Sequence, residues 1–264
     1  MTSNSTGSLV QTTIDDKVGT ITMLNPAKRN ALSKELLGDI DAALNKFTSQ
    51  GVAVAILRAS AGAKVWSAGH DISELPVSRD PLGYDNALEE TLRAIQAFPG
   101  PVICMVQGGV WGGACDIVMT SDIVIGDSSS TFAITPVKLG LPYNASGILH
   151  FMNRLGINIA KEMFFTADPV PAQRAKELGI LNHLVSAEEL EIFTMEIARK
   201  IASHSALSIS VIKEQFRLLS NAHPISPETF ERIQGLRRRV YDSEDYVEGI
   251  KAFMEKRQPV FKGK

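Results

Sequence analysis

A chain of 264 residues, 44% hydrophobic and 21% charged, can bury one sizeable core and sits at the upper end for a single domain. Its formal net charge of −2 gives no electrostatic case for nucleic acid or an anionic membrane surface as partner. Two cysteines, Cys104 and Cys115, both in apolar context, make no disulfide framework and point to a reducing, cytoplasmic setting.

The opening MTSNSTGSLVQTT lacks basic residues followed by an apolar core, so no signal peptide is expected. Residues Leu9 to Leu24 read as two short strands around Asp15-Asp16-Lys17. Asn25-Pro26 breaks that run. Ser33 can then cap a helix with Leu36, Leu37, Ile40, Ala43, Leu44 and Phe47 on its apolar face. Val52 to Leu57 (VAVAIL) has no alternation, as expected of a strand covered on both faces. Beyond Trp66 to Ile72, a polar, proline-containing segment leads to a helix from about Asp85 to Phe98. Polar residues such as Gln107, Asp116 and Asp122 interrupt the apolar runs well before the ~18 residues of a membrane span.

The central stretch, Pro101 to Asp122, begins with a buried-strand pattern at Val102 to Val106. It passes through Gly108, Gly109, Gly112 and Gly113, then resumes with a helical pattern at Ala114, Ile117, Val118 and Met119. Glycines let backbone approach a ligand, and a first helical turn offers N–H groups without intrahelical partners to an oxygen carrying negative charge. A tight turn and close helix packing would use the same glycines. Asp122 to Gly126 and Thr131 to Ile134 read as two more strands. Helical periodicity then dominates: Ile148 to Leu155, Ile159 to Phe165, Ala172 to Leu178, Glu188 to Ser203, Leu207 to Ser220, Pro227 to Tyr241 and Ser243 to Lys256, interrupted by a short strand at Ile180 to Val185. No linker or low-complexity segment divides the chain.

Four strings, KRNAL from Lys28, SAGHDI from Ser67, GGACD from Gly112, and Glu244-Asp245 through AFMEKR from Ala252, follow each other in an order and spacing that resembles the crotonase (enoyl-CoA hydratase/isomerase) superfamily over almost the whole chain. The resemblance implies an α/β spiral of strand–strand–helix repeats over residues 1–200, with a helical C-terminal oligomerisation region at 201–264, in one continuous domain. It further implies an acyl-CoA thioester as substrate and a homotrimer or hexamer. The thioester oxygen would accept from two backbone N–H groups, those of His70 and Gly113. Ala68, Gly69, Asp71, Ile72 and Thr135 would contact substrate beside them, and Lys256 would contact the nucleotide part of coenzyme A.

Hydratases of the superfamily use two glutamates; their positions fall here at Asp116 and Val137. Valine cannot move a proton, so a two-carboxylate hydration lacks one of its groups. SAGHD with histidine at position 70, GGVWGGA from Gly108, TPVKLGLPYN from Thr135 and FERIQGLRRRVYDSEDY from Phe230 resemble instead the decarboxylating members of the superfamily. That implies conversion of methylmalonyl-CoA to propionyl-CoA through a thioester enolate. An apolar wall at Val137 would stabilise the departing carboxylate poorly and favour its loss, and Tyr143 would bond that carboxylate or fix its plane. No metal or separate cofactor is expected, because the thioester itself accepts the electrons.

Each residue also has a structural reading. The His70 ring can be packing, with only its backbone at work, and Tyr143 can be a core tyrosine with a satisfied hydroxyl. Asp116 in a first helical turn is stabilised by the dipole without chemistry, Thr135 can simply end a strand, and Lys256 can be a solvated lysine at a helix end. Arg237-Arg238-Arg239 reads as a solvated face or subunit contact. His150, His183, His204 and His223 share no metal-ligand spacing and are assigned no site. A divergent hydratase or isomerase using Asp116 alone, and a non-catalytic RNA-binding member, remain as rivals. Loss of enoyl absorbance from crotonyl-CoA and a salt-dependent shift on RNA would distinguish them.

Overall fold

The chain opens in a computed structural model with a hairpin of Val10–Asp15 (β1) and Val18–Met23 (β2), paired antiparallel from Val10↔Met23 to Asp15↔Val18; the structure describes residues 8–74, 86–220 and 225–264. Asp16, at φ 53°, takes the left-handed backbone that a two-residue turn of this hand needs. Helix Lys34–Ser49 (α1) starts where Ser33 accepts a hydrogen bond from the Leu36 N–H, and all six residues of the expected apolar face are buried.

Val54–Ala59 (β3) pairs parallel with β2. The strand begins two residues later than VAVAIL suggests, because the Val52 N–H still closes the end of α1 on Phe47 O. Its two faces serve two cores. Ala55 and Leu57 join the main core, whereas Val54 and Ile56 pack on helix Leu190–Ala202 (α7) through Leu190 and Ala198. The strand Val102–Val106 (β5) divides in the same way, Cys104 one way and Ile103 and Met105 the other. Burial on both faces is why neither run alternates.

From β3 onward the chain advances as a spiral. Val65–Ser67 (β4), Gly109–Trp111 (β6) and Thr131–Ala133 (β8) lie side by side in a second sheet, while β3, β5 and Ile123–Gly126 (β7) line up in the first. Each turn therefore adds one strand to each sheet. Helices Ala87–Ala97 (α2) and Gly113–Thr120 (α3) close the turns. The strand order is β1-β2-β3-β5-β7-β10 in one sheet and β4-β6-β8-β9 in the other, where β9 is Val170–Pro171 and β10 is His183–Leu184. The sequence pattern does not announce strands β4, β6 and β9, which are only three, three and two residues long.

Helices Ala145–Arg154 (α4), Ile157–Thr166 (α5) and Ala172–Glu177 (α6) follow the spiral, and Ala206–Ser220 (α8), Pro227–Tyr241 (α9) and Glu244–Met254 (α10) finish the chain. No residue of α8 is buried; the Lys213 ammonium ties it to the body by donating to the carbonyls of Ile95 and Gly100 and pairing with Asp122. Arg237 corrects the reading of a solvated arginine run: it is 5% exposed and lies against the Tyr241 ring. Asp85 and His223 fall outside the described residues. Among the described residues, no helix is long and apolar enough to cross a membrane.

Candidate active site

Two glycines bring distant backbone together. After β4 the chain turns through Gly69, at φ 81°, and is held to the start of α1 by bonds from Leu32 N–H to Gly69 O and from Asp71 N–H to Leu32 O. This leaves the His70 N–H directed away from that bridge. After β6 the chain turns through Gly112, at φ 53°, whose N–H donates to Ala133 O, and Gly113 begins α3. A β-carbon on Gly69 would lie 2.4 Å from Trp111 O and 3.3 Å from Gly113 N; one on Gly113 would lie 3.9 Å from His70 N. The two amides are neighbours. Among the described residues neither N–H has a protein acceptor, and the Gly113 N–H belongs to a helix start.

Ala68, His70, Ile72, Gly113, Thr135 and Tyr143 line one cavity with Leu88, Leu139 and Leu141. Gly69 shapes the turn rather than the wall. Asp71 is turned to structure: it accepts from Ser73 and pairs with Lys28, and the Ser73 bond leads in holding its carboxyl below the usual range. Burial lowers the His70 imidazole below its ordinary value, and its Nδ1 is buried without a partner among the described residues. Lys256, left-handed at the end of α10, is not a lining residue of this cavity.

Val137 shares a cavity with Tyr143 but not with His70 or Gly113. The turn at Thr135 to Gly140 carries it to an adjoining apolar cavity with Ile134, Met152 and Phe164, and 44% of its surface is exposed. The acyl cavity's wall is not free of acid either. Asp116, 1% exposed, and Glu89, 8% exposed, both line it. Both carboxylates are engaged. Glu89 Oε1 accepts from the Asn144 amide and from Ser146 Oγ, and Asp116 Oδ2 lies 3.4 Å from the Tyr143 hydroxyl that donates to it. Burial first, and the Asp116 charge next, push the Tyr143 phenol well above its usual value, so it keeps its proton.

His150, expected to have no site, bonds Asp116 Oδ1 through Nδ1 at 2.7 Å. Sequence reasoning missed this histidine and Glu89, which enter from α4 and α2, and no spacing rule links either to Asp116. Groups of three or more metal-ligating side chains are absent among the described residues.

The arrangement offers two preorganised donors to an oxygen that gains negative charge, beside a protonated tyrosine and two engaged carboxylates. A methylmalonyl-CoA decarboxylase of Escherichia coli (strain K12) is 52% identical over 249 residues, covering 94% of this chain and 95% of that protein. A solved methylmalonyl-CoA decarboxylase in complex with 2-nitronate-propionyl-CoA superposes with a TM-score of 0.95 at 50% identity, covering 97% of this chain and 99% of that one. Another, complexed with 2S-carboxypropyl-CoA, gives a TM-score of 0.96 at 50% identity over 98% and 100% of the two chains. The enoyl-CoA hydratase/isomerase family model matches residues 13–264, and the chain belongs to that family.

Proposed function

We propose that this protein decarboxylates methylmalonyl-CoA to propionyl-CoA through a thioester enolate. The bond between C2 and the free carboxylate breaks, CO2 leaves, and the electron pair passes into the thioester. A proton then adds at C2. The adjoining, unengaged N–H groups of His70 and Gly113 carry the proposal, in a chain that shares half its residues with a decarboxylase. They favour the enolate oxygen over the less charged thioester oxygen of the substrate, so they lower the barrier rather than merely tightening binding. Each such donor is worth roughly 2.7–4 kcal/mol. The thioester takes up the electrons, so this chemistry calls for no further cofactor. Tyr143 faces the same cavity, and its retained proton suits it to bond the departing carboxylate.

Incubation with methylmalonyl-CoA should release CO2 and leave propionyl-CoA, read by mass spectrometry. Unchanged thioester at micromolar enzyme would overturn the proposal. A hydratase or isomerase reading draws on Asp116 in the cavity wall. It would be favoured if crotonyl-CoA, and not methylmalonyl-CoA, were consumed. Self-association belongs to the same proposal: Leu207, Phe216 and Leu219 of α8 each expose more than two thirds of their surface. Light scattering should give a mass of a trimer or a multiple of one.

A further inference from the structure

We propose that His150 sets the charge of the acyl cavity: its imidazolium, seated on Asp116, offsets the carboxylates of Asp116 and Glu89 and so admits a thioester that carries a free carboxylate. This rests on the decarboxylase reading above. A malonyl-type acyl group must place its own carboxylate in a cleft already lined by two others, and like charges in a partly dry cleft repel far more than in water. Something must compensate. His70 does not, because burial holds its imidazole toward the neutral form.

The geometry singles out His150. It is not a lining residue of the acyl cavity but stands behind Asp116 on α4, with Nδ1 2.7 Å from Asp116 Oδ1 and Nε2 3.2 Å from the Gln96 side-chain amide. The amide oxygen of Gln96 can accept from the imidazolium, since the two amide ends are interchangeable by rotation. The His150 side chain is 15% exposed and borders a polar cavity of about 440 Å³, through which a proton can arrive. It is therefore a positioning residue acting through Asp116.

The other charged groups near the ring have their own engagements. On α2, Glu89 is held by Asn144 and Ser146, and Arg93 lies within reach of the Asp41 charge. On α4 itself Arg154 donates to the carbonyls of Val118, Met119 and Ser121. From α8, Lys213 pairs with Asp122 and Arg217 with Glu214; from α9, Arg237 bonds Gln234. Asp116 and Glu89 are left as the charges that act on the imidazole. Burial pulls its pKa down, but the Asp116 hydrogen bond and charge, with the Glu89 charge, outweigh it and leave the value raised. Below that raised value the pocket carries one negative charge fewer. Affinity for a carboxylate-bearing thioester must then fall as pH rises, and affinity for an uncharged acyl thioester must not.

Calorimetric titration of the wild type, His150→Gln and Asp116→Asn with 2S-carboxypropyl-CoA and with propionyl-CoA, from pH 6 to 8.5, tests this. The two probes share the nucleotide, so titration of coenzyme A itself cancels between them. For the wild type, Kd for carboxypropyl-CoA relative to propionyl-CoA should rise about tenfold across the range. His150→Gln should start about tenfold weaker for the carboxylate probe at pH 6 and stay flat, and Asp116→Asn should bind it tightly and flatly. Wild-type pH dependence persisting in His150→Gln would overturn the assignment, as would equal weakening for both probes, the signature of a merely structural role. Should His150→Gln fail to fold, the wild-type and Asp116→Asn profiles decide alone. Absence of CO2 release from methylmalonyl-CoA by the wild type overturns the decarboxylase reading separately, because the binding arms need no turnover.

Discussion

Gly69 is where backbone conformation and chemistry meet in a single residue. Its φ of 81° and the 2.4 Å that would separate a β-carbon from Trp111 O mean that Gly69→Ala must shift backbone, and that backbone carries the His70 amide. The left-handed conformation alone costs about 1–2 kcal/mol for a residue with a β-carbon. Misplacing one donor to an enolate oxygen costs roughly 10²–10³ in rate. Gly69→Ala should therefore lower both the Tm and kcat/KM, and a variant with wild-type kcat/KM would remove the amide pair from the mechanism. Tyr143→Phe keeps the edge-on contacts of the ring with Phe151 and Phe164, so it should fold normally. Its kcat should fall about tenfold or more from loss of a charge-assisted bond; an unchanged kcat would mean that the hydroxyl serves only Asp116. That His70, Gly113 and Tyr143 line one cavity was legible, because each sits in a short string with a fixed neighbour set. For Val137 the motif fixes backbone position, whereas the single-turn helix at Pro136–Leu139 decides which cavity the side chain enters. Glu89 and His150 lie 27 and 34 residues from Asp116 in sequence, and only the spiral brings them to it.

At the scale of elements, the readable features were those set by local chemistry. Ser33 announces α1 because a hydroxyl there satisfies the Leu36 N–H, and the strands β3 and β5 announce themselves by unbroken apolar runs. The cap is testable. Ser33→Ala should cost about 1 kcal/mol of stability, seen as a lower urea midpoint at unchanged slope. A stability equal to wild type would show that packing of the apolar face of α1 alone fixes its start. What local chemistry does not encode is the alternation of strands between two sheets. β6 has glycine, valine and tryptophan in three residues and pairs on both sides, with β4 and with β8, so its conformation comes from neighbours far along the chain.

For the molecule as a whole, stability against pH is a sum over groups of opposite sign, and Asp41 can be isolated from it. Asp41 lies on α1 facing α2, with Oδ1 buried and unpartnered among the described residues. Burial raises its pKa to about 6, helped by the Glu90 charge and opposed by the nearby Thr91 side chain and the Arg93 charge. A carboxyl whose folded pKa lies above its unfolded value binds protons more tightly when folded. Its contribution therefore favours the fold at low pH and is lost as pH rises from about 4 to about 6. Asp71 and Glu248, both held below the usual range, push the opposite way, their stabilisation fading as pH falls. The wild-type profile alone would mix these trends. The difference between wild type and Asp41→Asn would not, because the other groups are common to both. Discounted for the group's partial exposure, the shift is worth about 1 kcal/mol. Asp41→Asn should thus be about 1 kcal/mol more stable than wild type at pH 7, and the gain should shrink toward zero by pH 4. Urea midpoints measured across that range read this directly. A difference that stays constant with pH would place the effect in packing between α1 and α2 rather than in the charge.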